Sequence, residues 1–234
     1  MGTADKVCAA ALAVHDQAAR LGCQIAETSF ILLELGGAFS AALAVDRGRI
    51  VDGMGGTSGP IGVAAPGALD GEVAFLAGTI TKHLLFSGGA SAVAGDPHAS
   101  PDALVARQTP RARVAWAAFI EGAAKAVAAL LVSAPRAREV VLSGRMAQPT
   151  SVREALAVAL APLTGIPLHL LRGFAPVSKQ AAQGAALIAD GLAGGDAAAL
   201  VGAMELEGAS GTVLDHLTVI APSAARHRIG IGDA

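Results

Sequence analysis

The chain is poor in what most binding surfaces are made of. Aromatic residues make up 3% of its 234 positions and charged residues 15%, with 17 Lys+Arg against 19 Asp+Glu and a formal net charge of −2. A nucleic-acid reader needs a basic stripe or a set of stacking aromatics, and neither is present, so nucleic acid is not an expected partner. The two cysteines, Cys8 and Cys23, form no CxxC pair. With no basic, apolar-cored leader at the start, they read as buried free thiols of a cytoplasmic protein. The six histidines show no HxH or HxxxH spacing, which speaks against a structural metal.

Charge is scarce because alanine is abundant. Hydrophobic residues reach 53% and the mean hydropathy is +0.55. A membrane span is nevertheless not expected. The most apolar helical stretch, AWAAFIEGAAKAVAALLV (115–132), carries Glu121 and Lys125 four residues apart. That spacing favours an ion pair on a solvated helix face and is costly in lipid.

Element order follows from periodicity and punctuation. Residues 3–22 read as a helix, with Thr3 placed to cap it, Asp5 in its first turn and Gly22 at its end. SFILLEL (29–35), FSAALAV (39–45) and RIVDG (49–53), joined by Gly36-Gly37 and by Asp46-Arg47-Gly48, read as an antiparallel meander. The stretch 54–110 looks irregular, with a short helix over 69–78, an ambiguous 81–86 and a loop over 87–102. Two crossover units follow: a helix over about 111–132 into the strand 139–144, and a helix over about 150–162 into the strand 166–171. A helix over 178–193 closes the series, 196–206 is a weaker helix, and the tail 207–234 is weakly patterned. This order predicts an α/β fold: one five-stranded mixed sheet, three antiparallel strands then two βα units, helices on both faces.

Four stretches carry chemistry. The loop DGMGGTSGP (52–60) offers Gly53, Gly55, Gly56 and Gly59 for sharp turning, with Thr57 and Ser58 as hydroxyl donors. It suits an anion but equally a hairpin exit, and it is neither a Walker loop nor a dinucleotide fingerprint. In LELGGAF (33–39), Glu34 is an acid inside an apolar strand beside a glycine turn. It could hold a Mg²⁺-bound water or orient a nucleophile, or simply face outward. VVLSGRMA (140–147) runs a strand into Ser143, Gly144 and Arg145, the place where open α/β sheets bind ligands. KQAAQGAALIADGL (179–192) spaces small residues for close helix packing.

Taken in order, these stretches resemble the second domain of the actin-like ATPase (ribonuclease H-like) superfamily, which includes acetate kinase, sugar kinases, heat-shock chaperones and actin. ELGGAF…GRIVDGMGGT resembles its second phosphate motif, VVLSGRMA its adenosine motif and KQAAQGAALIA its terminal helix. GTADKVCAAALAVHDQAARLG, SFILLELGGAFSAALAVDRGRIVDGMGGTSGPIG and GALDGEVAFL further resemble the family of predicted butyrate kinases, over most of residues 2–195. The resemblance implies phosphoryl transfer from Mg-ATP to a short carboxylate, with ATP and Mg²⁺ as cofactors. By position it implies that Gly36, Gly37, Gly55, Gly56 and Thr57 contact nucleotide phosphates and that Glu34 takes the catalytic acidic role near Mg²⁺, no residue binding metal directly. Ser143, Gly144 and Arg145 would border the adenosine. It further implies an interdomain-type helix over 1–28, the second domain over 29–195 with an irregular insertion at about 60–110, and a C-terminal helix and tail over 196–234. The first domain of the superfamily opens with an acidic glycine-threonine hairpin, and nothing of that type precedes residue 29. The expected partner is therefore a missing N-terminal domain or subunit, or a second copy. The alternative is a truncated or degenerate non-catalytic domain serving assembly. His83 and Arg107 are polar candidates for acyl recognition in the irregular segment, and each reads at least as well as a plain surface residue.

Overall fold

The computed structural model describes residues 3–163 and 165–231. Five strands form one sheet: β1 (Ser29–Leu35), β2 (Ser40–Asp46), β3 (Arg49–Met54), β4 (Val140–Ser143) and β5 (Leu168–Leu170). Their order across the sheet is β3-β2-β1-β4-β5. β1, β2 and β3 pair antiparallel, while β4 lies parallel to β1 and β5 parallel to β4. This is the mixed sheet expected from the element order. The β2–β3 turn places both Arg47 (φ 53°) and Gly48 (φ 78°) in left-handed backbone, as a two-residue hairpin turn requires.

Nine helices are found among the described residues: α1 (Ala4–Leu21), α2 (Gly71–Ala77), α3 (Ala90–Ala94), α4 (Pro101–Ala106), α5 (Pro110–Leu130), α6 (Thr150–Leu160), α7 (Gln180–Leu192), α8 (Ala198–Ala203) and α9 (Pro222–Arg228). β1 explains why both faces of the sheet are covered. Its side chains alternate, and both sets are apolar. Ile31, Leu33 and Leu35 join a core with Phe119, Val127 and Leu156 of α5 and α6. Phe30 and Leu32 join a second core with Leu12 and Val14 of α1 and Leu200 of α8. Glu34 is the exception on that second face.

α1 is sandwiched between the sheet and α7, so residues 9–14 are all buried. Small side chains let the neighbouring backbone come close: a Cβ on Gly184 of α7 would lie 1.7 Å from the Cys8 carbonyl oxygen. At the far end of α1, Gln17 and Arg20 meet Glu139, tying the helix to the amino end of β4.

Several local expectations change. Thr3 occupies the N-cap position, but its hydroxyl donates to the Asp5 carboxylate rather than capping a backbone N–H. Cys8 and Cys23 are free but only half-buried, and Cys23 lies beyond the helix, after Gly22 in left-handed backbone. The stretch 87–102 is not all loop, since α3 and the start of α4 fall within it. The tail contains α9, whose Arg226 pairs with Asp215. Glu121 and Lys125 form the expected ion pair, at 2.5 Å on the exposed face of α5. No helix among the described residues is long and apolar enough to cross a membrane.

Candidate functional site

The site is built where β1 and β4 end side by side. In their parallel register Glu34 stands beside Ser143, and both strands then turn at glycines. The first turn is a hairpin closed by the Gly36 N–H donating to the Phe39 carbonyl at 2.9 Å. The second is Gly144, at φ 88° and ψ 170°, a region essentially reserved for glycine. A Cβ there would sit 2.4 Å from the Leu35 carbonyl oxygen and 3.2 Å from the Gly36 nitrogen. Gly144 is thereby brought against Leu35 and Gly36, with Ser143 beside Glu34 in the register, while the Arg145 guanidinium reaches away to Asp102 at 3.6 Å.

The loop after β3 lies behind the same hairpin. A Cβ on Gly56 would be 2.4 Å from the Phe39 ring, and one on Gly62 would be 2.2 Å from the Ala38 carbonyl oxygen. That carbonyl accepts from both the Ala64 and Ala65 N–H groups at 3.1 Å. Gly56 is thus glycine for a packing reason of its own. Within the loop the Ser58 hydroxyl accepts from the Gly55 N–H at 3.2 Å, and Thr57 is exposed.

Two glutamines of α7 hold the other side. The Gln180 amide accepts from the Gly144 N–H at 3.4 Å and donates to the Leu171 carbonyl at 2.7 Å, bridging the ends of β4 and β5. Gln183, 3% exposed, accepts from the Ala175 N–H and donates to the carbonyls of Ala175 and Ser178 at 2.9 and 2.8 Å. Together they fix the 171–178 turn that borders Gly144.

The electrostatic centre is an ion pair the motifs do not contain. Lys6, in the first turn of α1, donates to Glu34 at 2.6 Å and to Asp5 at 2.9 Å. The Lys6 and Glu34 side chains are 19% and 20% exposed. Burial pushes the Lys6 ammonium down, but hydrogen bonds and charge from Glu34 and Asp5 outweigh it and hold the group above its usual value. Burial pushes Asp5 up, and the Thr3 hydroxyl and Lys6 bring it below the usual carboxylate range. A cation whose pKa is raised on folding stabilises the fold below its unfolded value and loses that contribution as pH rises through the folded one. Lys6→Ala is therefore expected to cost about 1 kcal/mol at neutral pH. The gap to the parent chain should stay constant from about pH 6 to 10 and close above the unfolded lysine value of about 10.4. Urea melts of both chains across that range check it.

The remaining candidates lie apart. The Arg107 guanidinium stacks over Trp116 at 4.4 Å, which gives it a structural partner. His83 is exposed, and its carbonyl accepts from the Phe86 N–H. Lys6 belongs to none of the four stretches that carry chemistry, although it stands in GTADK. The available signal was a lysine in a helix's first turn, where the macrodipole disfavours a cation. Gln180 and Gln183 carried no signal, because their partners come from strand ends far along the chain.

The arrangement suits a phosphorylated ligand. The Gly37 and Ala38 N–H groups have no acceptor among the described residues, and Glu34, three residues before Gly37, holds the Lys6 ammonium. The Ser143 hydroxyl, 1% exposed, is buried without a partner beside Glu34. Among the described residues no group of three or more His, Cys, Asp or Glu could hold a metal ion.

This topology is that of the actin-like ATPase fold. Acetate kinase from Entamoeba histolytica superposes with a TM-score of 0.56 at 16% identity, covering 66% of this chain and 44% of the kinase. A propionate kinase from Francisella tularensis gives 0.58 at 19% identity, covering 67% and 43%. Acetate kinase from Porphyromonas gingivalis gives 0.56 at 17% identity, covering 64% and 41%. The chain thus matches less than half the length of each of these kinases. It belongs to the family described as protein of unknown function DUF1464, whose profile matches residues 1–219. No curated protein sequence matches it.

Proposed function

We propose that the chain is the nucleotide-binding half of an ATP-dependent kinase acting on a short-chain, butyrate-type carboxylate. The observation that carries this reading is the meeting of the Gly36-Gly37 hairpin, Gly144 and the Lys6–Glu34 pair at the carboxyl ends of β1 and β4. ATP with Mg²⁺ would supply the phosphoryl group. The Gly37 and Ala38 N–H groups would bind its phosphates, with Gly55, Gly56 and Thr57 supporting the hairpin from behind. Glu34 would orient metal-bound water. Ser143, Gly144 and Arg145 would border the adenosine. Phosphoryl transfer depends on positioning and charge stabilisation rather than on covalent help, and these are what a hairpin, an ammonium and a carboxylate provide. The cleft side of the sheet would be completed by another domain, a subunit or a second copy, which would bring the remaining phosphate contacts.

A thermal melt of the chain with Mg-ATP tests the reading. At a hundredfold excess over Kd the melting temperature should rise by about 5–10 °C, with amide shifts at 36–38 and 143–145. No rise at millimolar Mg-ATP, and no shifts at those positions, would remove the nucleotide from the proposal.

A further inference from the structure

On the face that carries α1, the helix covers β1 but leaves the β2–β3 edge open. A groove of about 240 Å³ lies there, lined by Ala41, Leu43, Ile50, Gly53 and Gly55, with Lys6 at one end. Ala41 is the register partner of Glu34, so the Lys6 end of the groove is the end next to the nucleotide site. We propose that this groove is the acyl-acceptor site, taking the hydrocarbon tail of a short carboxylic acid along β2–β3 and its carboxylate at Lys6. The inference rests on the kinase reading above and adds to it where, and by which residues, the acid is held.

Three observations support the assignment. First, the floor is apolar, and polar demands are met at one point only. The Asp52 carboxylate also borders the groove, but it accepts from the Ser133 hydroxyl at 2.6 Å and from the Gly53 N–H at 2.7 Å. Ser133 lies just beyond α5, on the opposite face of the sheet. Second, an ammonium has three donors, and Lys6 uses two of them on Asp5 and Glu34, so one remains for a substrate carboxylate. Third, the groove holds about eight water-sized atoms. An acid of about four carbons fits within it, whereas a sugar would find no hydrogen-bonding partners on the apolar floor. Gly53 keeps it open, because a Cβ there would come 2.7 Å from the Leu43 Cδ2 methyl. That contact is with the free end of a side chain that can swing, so a larger residue fills the groove without breaking the strand.

The test is an amide-shift titration of the whole chain with sodium butyrate in the presence of Mg-ADP. Saturable shifts are expected at Ala41, Leu43, Ile50, Gly53 and Gly55. Lys6→Ala should weaken butyrate about tenfold and Lys6→Arg should recover most of it, because a charged hydrogen bond is lost and then restored. Gly53→Val should weaken butyrate by a similar factor while the Mg-ADP shifts persist, which also shows that the variant is folded. Mg-ADP shifts with no saturable butyrate response in the groove would overturn this site and leave the nucleotide reading standing. So would Lys6→Ala and Gly53→Val both binding butyrate like the parent. Silence toward Mg-ADP as well would overturn both.

Discussion

Gly184→Ala is expected to lower stability by about 3 kcal/mol or more, the upper end of what an overpacked core position costs. The added methyl would sit 1.7 Å from the Cys8 carbonyl oxygen, 2.5 Å from its carbonyl carbon and 3.1 Å from its Cα. All three atoms are backbone of a buried helix, so no side chain can swing aside. α1 and α7 would have to separate, opening the second core around Leu12, Leu32 and Leu200. For a chain of this length the loss corresponds to a fall in melting temperature of about 6–12 °C. Gly202→Ala is the control, since it lies inside α8 with nothing within 4 Å of the new methyl. It should stabilise by about 0.5–1 kcal/mol, because glycine gives up more chain entropy on folding. Urea melts read both, and a Gly184→Ala chain within 1 kcal/mol of the parent would mean that the helices are less tightly held than the structure shows.

The contrast between Gly184 and Gly202 illustrates what the sequence shows and what it hides. SFILLEL was legible as β1 because both of its faces are apolar, which only a strand covered on both sides tolerates. The meander was legible from its turns, and the parallel placement of β4 and β5 from the helices that precede them. The insertion was less legible. α3 and α4 are five and six residues long, too short to show a period. They are held by tertiary contacts, such as the Gly89 and Ser91 N–H groups donating to the carbonyls of Ala64 and Val63 at 2.9 Å. A glycine alone does not say whether it serves a turn, a ligand or a neighbour. Gly56 and Gly144 look alike in sequence, yet one makes room for the Phe39 ring and the other for the Leu35 carbonyl. The Lys6–Glu34 pair spans 28 positions and depends on the packing of α1 against β1, which no local pattern encodes.

Gly144→Ala is expected to damage fold and site together. The residue's φ of 88° with ψ of 170° costs a side-chain-bearing residue about 1–3 kcal/mol. The clash at 2.4 Å with the Leu35 carbonyl oxygen adds a similar amount, so a total of about 4 kcal/mol follows. The strain acts on the two strand ends that carry Glu34 and Ser143. Under the proposed function, any folded Gly144→Ala protein should therefore have lost the Mg-ATP-induced rise in melting temperature. Because a destabilised chain is a poor reporter of binding, Gly37→Ala separates the two effects. Gly37 is exposed, has no unusual φ, and has nothing within 4 Å of a new Cβ. Its substitution should leave urea stability within about 0.5 kcal/mol of the parent, while the added methyl stands beside N–H groups proposed to meet a phosphate. A Gly37→Ala chain of parent stability whose Mg-ATP affinity falls about tenfold would support phosphate contact at this hairpin. Unchanged affinity in Gly37→Ala would move the phosphates off the hairpin, whatever Gly144→Ala does to the fold.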